Sequence, residues 1–280
     1  MRRPYEGAIR LTVACVLSLV LTGCGGLNGN HDPATPTRPP SIVVSISADS
    51  IHVVDVENGR RRKLVEDLAD FRSGFANWSP DHLQVAFADE GIAVVDPETG
   101  REVTFVKGEG LSMPTWNPSG THLAYSDGLT LWITSLGRVE PRRIHVPAVL
   151  APLNVAWGPS NLLAFQGVNL DCSEAVRCVS TGSSEIWTIR PDGTGLEQLT
   201  RVGRAESPKW SADGRELLFI RRYPGAGKRS ELWTVDATGR HLRRLAAIPG
   251  IVAADWSPDG SHLAVLAAAD EEGSLQLRVG

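Results

Sequence analysis

The chain has 280 residues, 42% of them hydrophobic and 21% charged, and a formal net charge of -4. That composition belongs to a globular protein able to bury a large core, and it excludes an intrinsically disordered chain. The acidic balance excludes a protein tuned for nucleic acid.

In chain order, the first element is an apolar run, "LTVACVLSLVLTG", preceded by Arg2, Arg3 and Arg10 and ended by Cys24. At 13 residues it falls short of the roughly 20 needed to cross a bilayer, so residues 1–23 read as a secretory signal. The stretch "LTGC", Leu21 to Cys24, resembles the lipobox of bacterial lipoproteins. That resemblance implies a cut before Cys24, a diacylglycerol on its sulfur and an acyl group on its amine, which together hold a protein at a membrane surface. The alternative is an ordinary signal peptide cut at or beyond Gly23, leaving a thiol. Loss of residues 1–23 removes a net charge of +2 and leaves about -6. Residues 24–40 hold glycine, asparagine and proline but almost nothing apolar, and read as a flexible tether. A domain of residues 41–280 follows.

From Ile42 onward the chain consists of short β-branched runs separated by turns, with no amphipathic helical pattern. One phrase recurs: "NWSPDH", "TWNPSG", "AWGPS", "KWSADG" and "DWSPDG" carry Trp78, Trp116, Trp157, Trp210 and Trp256, spaced 38, 41, 53 and 46 residues apart. A second phrase also repeats, since "SIHVVDVENGR" aligns without a gap over "GIAVVDPETGR". Proline and aspartate-glycine mark these phrases as turns and not as catalytic signatures. Each unit reads as four strands, and a period of about 40 residues with four strands is that of a propeller blade. The predicted fold is therefore all-β: a β-propeller of six blades, mostly of four antiparallel strands. The terminal blades are either incomplete or closed by an N-terminal strand, because 42–66 supply three strands without the tryptophan strand and 250–279 supply three without the last.

The tryptophan turn, followed by a strand such as "HLAVLA" and another such as "ELWTV", resembles the TolB-like propeller repeat (WD40-like, PD40-type) over residues 42–280. His82 stands where that repeat has glycine, and "WGPSNLLAF" lacks the glycine and is one residue short. The resemblance implies a partner in an envelope complex.

In a blade, the links between strands two and three and between strands four and one share a face. Three of the former are long: 166–184, 221–230 and 268–274. The first contains Cys172 and Cys178, which read as a disulfide in an oxidising compartment; a metal pair is the alternative, though no histidine is near and the spacing is not that of zinc ligands. The second is basic through Arg221, Arg222, Lys228 and Arg229, and the third acidic through Asp270, Glu271 and Glu272. This lopsided rim is the candidate binding face, against the alternative that long loops are simply tolerated.

His122 and His262 fall in a repeat column shared with Gln84 and Glu216, so no metal ligand is assigned. No G-x-S-x-G, H-E-x-x-H or phosphate-binding loop occurs. The expectation is a non-enzyme without cofactor: a monomeric, lipid-anchored envelope lipoprotein whose propeller binds a protein partner, or a peptide or glycan. It would sit at the outer membrane of a two-membrane host, or on the outer face of a single membrane. The competing reading is a metal-dependent lyase or lactonase using the axial funnel.

Overall fold

The computed structural model describes residues 17–18, 41–47, 50–55, 60–66, 76–108, 110–112, 114–137, 140–174, 177–225, 229–257, 260–268 and 275–279. They contain strands and no helix, arranged as a ring of antiparallel sheets. Sheet 1 is β1 (Leu17–Ser18), β2 (Ser41–Ser47), β3 (Ser50–Asp55) and β4 (Arg61–Val65). Sheet 2 is β5 (Asn77–Trp78), β6 (Val85–Ala88), β7 (Gly91–Val95) and β8 (Glu102–Lys107). Sheet 3 is β9 (Thr115–Trp116), β10 (His122–Ser126), β11 (Leu131–Ser135) and β12 (Arg142–Ile144). Sheet 4 is β13 (Leu150–Trp157), β14 (Leu163–Glu174), β15 (Arg177–Ile189) and β16 (Glu197–Gln198). Sheet 5 is β17 (Ala205–Trp210), β18 (Glu216–Arg222), β19 (Ser230–Asp236) and β20 (Arg243–Ala247). Sheet 6 is β21 (Ile251–Trp256), β22 (Leu263–Ala268) and β23 (Leu275–Val279). Within each sheet the strands lie in chain order, and neighbouring strands pair antiparallel.

The sheets are buried on both faces, which is why their inner strands are continuous apolar runs rather than alternating ones. In β6, Val85 and Phe87 pack with Ile51 and Val53 of sheet 1, while Ala86 and Ala88 pack with Trp116, Leu123 and Tyr125 of sheet 3. The same alternation continues around the ring. Leu131 and Ile133 meet Leu163 and Phe165; Ala156 and Ala164 meet Leu217 and Phe219; Leu218 and Ile220 meet Ile251 and Val265. First strands also touch in sequence: β5 with β9, β9 with β13, β13 with β17, β17 with β21, and β21 with β1.

Where the sequence leaves two ways of ending the ring, the structure places the N-terminal strand in sheet 1 and leaves sheet 6 with three strands among the described residues. That N-terminal strand pairs Leu17 with Val44 and Ser18 with Val43. It lies within the segment read as a signal.

The tryptophan turns join sheet to sheet. Trp116 Nε1 donates to Asn77 O at 3.0 Å and Trp210 Nε1 to Ala156 O at 3.3 Å, in each case the carbonyl just before the previous sheet's tryptophan. Four residues after every one of the five tryptophans the backbone has positive φ, at His82, Gly120, Asn161, Gly214 and Gly260. His82 and Asn161 thus take the glycine's conformation, as a polar side chain can at some cost. The residue after the tryptophan closes the turn: Ser79, Asn117, Ser211 and Ser257 each accept a bond from the backbone N–H five residues on.

Gly158 is the exception, and its neighbour explains it. A Cβ there would lie 2.8 Å from the Trp210 ring, so the short turn of sheet 4 gives up the serine cap to admit the next sheet's indole. Gly158→Ala should therefore lower unfolding free energy by about 1–3 kcal/mol through overpacking, and Trp210→Phe by about 1 kcal/mol through the lost hydrogen bond. Urea titration of the purified chain checks both; an unchanged midpoint for Gly158→Ala would contradict the packing described.

Candidate functional site

The long links of sheets 4 and 5 lie on one rim and are built differently. The link expected over 166–184 is a continuation of the sheet: β14 and β15 run on past Val168 and Ser184, with a register shift, to pair Leu170 with Ser180, Asp171 with Val179 and Glu174 with Arg177. Cys172 and Cys178 form a disulfide near the tip of this arm. At its root Gly167 lies flat against Trp187 and Leu150, where a Cβ would approach within 2.4 Å of the indole. Leu170 N–H donates to Val149 O at 2.8 Å, tying the arm to the preceding connection. The arm exposes the aliphatic side chain of Val179 near its tip; Val149, in the connection before β13, and Leu129, in the corresponding link of sheet 3, are exposed as well.

In sheet 5 the corresponding link follows Arg222. Tyr223 is held between the guanidinium groups of Arg221 and Arg229, at 4.7 and 4.6 Å from its ring centre. Its hydroxyl donates to Glu231 Oε2 at 2.7 Å, an oxygen that also accepts from Trp233 Nε1 at 3.0 Å. The other Glu231 oxygen accepts from Arg244 at 3.0 Å and Arg229 at 3.5 Å. Burial alone would raise this carboxyl, but the bonds from Tyr223, Arg244 and Trp233 and the charge of Arg244 outweigh it and hold its pKa down at about 2.

Of the basic residues expected here, Arg222 has a structural post: it pairs with Glu206 at 2.8 Å and reaches the carbonyls of Ile251 and Val252 in sheet 6. Arg221 and Arg229 flank Tyr223. Lys228, the acidic residues Asp270, Glu271 and Glu272, and Cys24 lie outside the described residues.

A second buried acid, Glu185, holds the link from sheet 4 to sheet 5. It accepts from Thr200 Oγ1 at 2.6 Å, from Val202 N–H at 3.1 Å and from Gly203 N–H at 2.7 Å. The link it anchors presents Arg201 and Arg204 to solvent, with Arg204 in left-handed conformation. Glu185 and Glu231 each stand two residues before a tryptophan, in "SSEIW" and "RSELW". That shared column was the available signal for both, and reading the phrases only as strands passed over it.

The axial strands carry polar groups as well, and these are spent between sheets. Asn77 Nδ2 donates to Pro114 O at 2.7 Å, Thr115 Oγ1 accepts from Trp157 N–H at 3.3 Å, and Lys209 Nζ lies 3.6 Å from Asp255. Burial pushes the Asp255 carboxyl up, with Lys209 opposing it. Among the described residues no three His, Cys, Asp or Glu side chains gather closely enough to hold a metal ion. His122 and His262 bond to Thr121 and Ser261, at the starts of second strands. Two open clefts lie at the other face's turns: about 690 Å³ lined by Arg142, Asn161, Arg190 and Asp192, and about 640 Å³ lined by Asp213, Arg215, Asp236 and Trp256.

This architecture is that of known propellers. A putative TolB from Agrobacterium tumefaciens superposes with TM-score 0.64 at 16% identity, over 86% of this chain and 86% of that one. TolB from Acinetobacter baumannii gives 0.60 at 15%, over 81% of this chain, which spans 59% of that protein's length. An oligogalacturonate lyase in complex with manganese gives 0.57 at 15%, over 85% and 70%. No protein-family profile and no curated protein sequence matches the chain. The chain has a TolB-like β-propeller fold, in agreement with the repeat read from its tryptophan turns.

Glu231 gives the rim a measurable signature. A carboxylate whose folded pKa lies below its unfolded value contributes stability above the unfolded pKa, and that contribution is lost as pH falls through the folded one. The intact chain should therefore lose stability between about pH 4.5 and 2. Glu231→Ala should cost about 3 kcal/mol at pH 7 by breaking a buried, multiply bonded charge and should flatten that part of the acid profile. Denaturant titrations across pH for both chains check this; parallel profiles would contradict the role given to Glu231.

Proposed function

We propose that the chain is a non-catalytic lipoprotein of the bacterial cell envelope, anchored through Cys24, whose monomeric propeller binds another envelope protein by its arm-bearing rim. The observation that carries this reading is the asymmetry of that rim. A disulfide-tipped arm and an arginine-flanked tyrosine rise from neighbouring sheets, whereas the corresponding links of sheets 2 and 3 are tight turns at Asp89–Glu90 and 127–130. A regular scaffold that spends a disulfide and two buried carboxylates on one sector is a scaffold that displays that sector. The lipobox-like "LTGC" and the polar tether support placement at a membrane surface. The fold likeness to TolB proteins is compatible with an envelope setting.

The likeness to an oligogalacturonate lyase keeps a metal-dependent enzyme as the second reading. The described residues offer it no ready ligand set. Metal analysis of the purified chain separates the two: a stoichiometric transition metal would favour the enzyme.

Two measurements test the proposal. Cells fed labelled palmitate should yield a labelled, membrane-bound protein, and Cys24→Ala should be unlabelled and leave the membrane fraction; label retained in the variant would refute the anchor. Replacing residues 169–183 by Asn-Gly, which closes a hairpin between the paired residues Val168 and Ser184, should leave the fold intact and abolish partner crosslinking in the native host. Undiminished crosslinking would remove the arm from the function.

A further inference from the structure

The arm and the side of sheet 5 turned towards it, together termed the notch, carry chemistry that points to one kind of ligand. One wall is the arm. The fourth strand of sheet 4 pairs only with Trp187 and Thr188, and Gly182 is left-handed with its N–H and that of Ser183 turned to Ser180 Oγ and Thr181 Oγ1, so the outer edge of β15 without a neighbouring strand among the described residues is Arg177 to Ser180. Such an edge offers backbone N–H and C=O groups to an extended chain. Beside it stands the exposed Val179.

The other wall is sheet 5. Arg221 pairs directly across from Ala205, and Ala205 packs with Ala156, Ala164 and Ile186 of sheet 4. Residues directly opposite in an antiparallel pair share a face, so Arg221 leaves sheet 5 on the side of the arm. Arg204 completes the wall: its carbonyl accepts from Arg222 N–H at 3.2 Å, and the site of a Cβ on Gly182 in the arm lies 3.8 Å from its guanidinium.

The charge here is one-sided. Among the described residues Asp171, Glu185, Glu206 and Glu231 are the nearby carboxylates, and each has a partner: Asp171, across from Val179 on the arm, makes its own contact, Glu185 binds Thr200 and two backbone N–H groups, Glu206 binds Arg222, and Glu231 binds Tyr223, Trp233, Arg229 and Arg244. Arg201, Arg204 and Arg221 have no ion pair among the described residues. The same buried acids that stiffen the rim therefore leave it with cations to satisfy.

Building on the partner-binding reading above, we propose that this notch receives an extended acidic segment of the partner protein. Its carboxylates meet Arg204 and Arg221, an aliphatic side chain meets Val179, and its backbone runs along the open edge of β15. A lipid surface could answer the charge but could not use the strand edge, which favours a peptide.

The test uses the full chain in detergent and three labelled 12-residue peptides alternating valine with glutamate, lysine or serine, read by fluorescence polarisation. The glutamate peptide should bind, weaken about tenfold or more between 50 and 300 mM salt, and weaken similarly in the double variant Arg204→Glu, Arg221→Glu, which should gain affinity for the lysine peptide. Val179→Asp should also weaken the glutamate peptide, and a wild-type melting temperature for each variant confirms that folding is retained.

Equal binding of all three peptides, binding unchanged by charge reversal, or tighter binding of phosphatidylglycerol vesicles than of the glutamate peptide would each overturn the proposal. Photocrosslinkers placed at Arg204 and, on the other face, at Ser160 separate this failure from that of the broader reading. A protein captured only from Ser160 sinks the notch and keeps a binding propeller. Capture from neither sinks both.

Discussion

No sheet in this chain can bury its own faces, and everything else in the structure follows from that constraint. In each of sheets 2 to 5 the second strand carries an apolar run whose odd and even residues pack on different neighbours, as Val85 and Phe87 do towards sheet 1 and Ala86 and Ala88 towards sheet 3. A buried aromatic or large aliphatic side chain contributes about 1.5–3 kcal/mol, but only if the next sheet is present to cover it. Stability is therefore shared around the ring. The tryptophan turns are the joints of that sharing: Trp210 closes over Gly158 and donates to the carbonyl of Ala156 in one movement of the side chain.

The constraint also separates what a reader of the sequence can see from what escapes. Period, strand count and turn type were legible because each is imposed on every unit by the same packing, and five tryptophans with a positive φ four residues later record it directly. The departures had opposite fates. His82 and Asn161 were visible as missing glycines, yet they keep the glycine's conformation. Gly158 was visible as an odd residue, but its reason lies 52 positions away in Trp210, where no local pattern points. The stretch from Gln166 to Ser184 reads as a loop because it is far longer than the tight links at the same place in the earlier units. Its length of paired strand depends instead on Gly167 and the disulfide, which let a polar hairpin stand without a core of its own.

The rim shows the same limit at the level of charge. Arg221, Arg222 and Arg229 form one basic cluster in sequence, and the fold gives them separate tasks: Arg222 bridges to sheet 6, while Arg221 and Arg229 sandwich Tyr223. Arg204, which sits beside them in space, is 17 residues from Arg221 in the chain and belonged to no motif. A strand pairing such as Ala205 with Arg221 is what brings it there. Charge clusters in a repeat protein are assembled across hairpins, so counting them along the chain finds some members and misplaces others.

Glu185 and Glu231 connect the two halves of the argument. Burying a carboxylate is costly unless its oxygens are fully bonded, and both residues meet that condition by recruiting links: Glu185 takes the backbone of Val202 and Gly203, and Glu231 takes the side chains of Tyr223, Trp233, Arg229 and Arg244. A buried acid is thus a device for converting a surface link into a rigid one. The two occur in adjacent sheets, at equivalent positions, beneath the sector where the arm and Tyr223 rise. In sheet 3 the equivalent position, two residues before Trp132, is Thr130, and there the link is a tight turn that needs no such anchor. Rigidity has been installed where the rim is elaborated, which is the pattern expected when the elaboration must hold a shape for something else to meet.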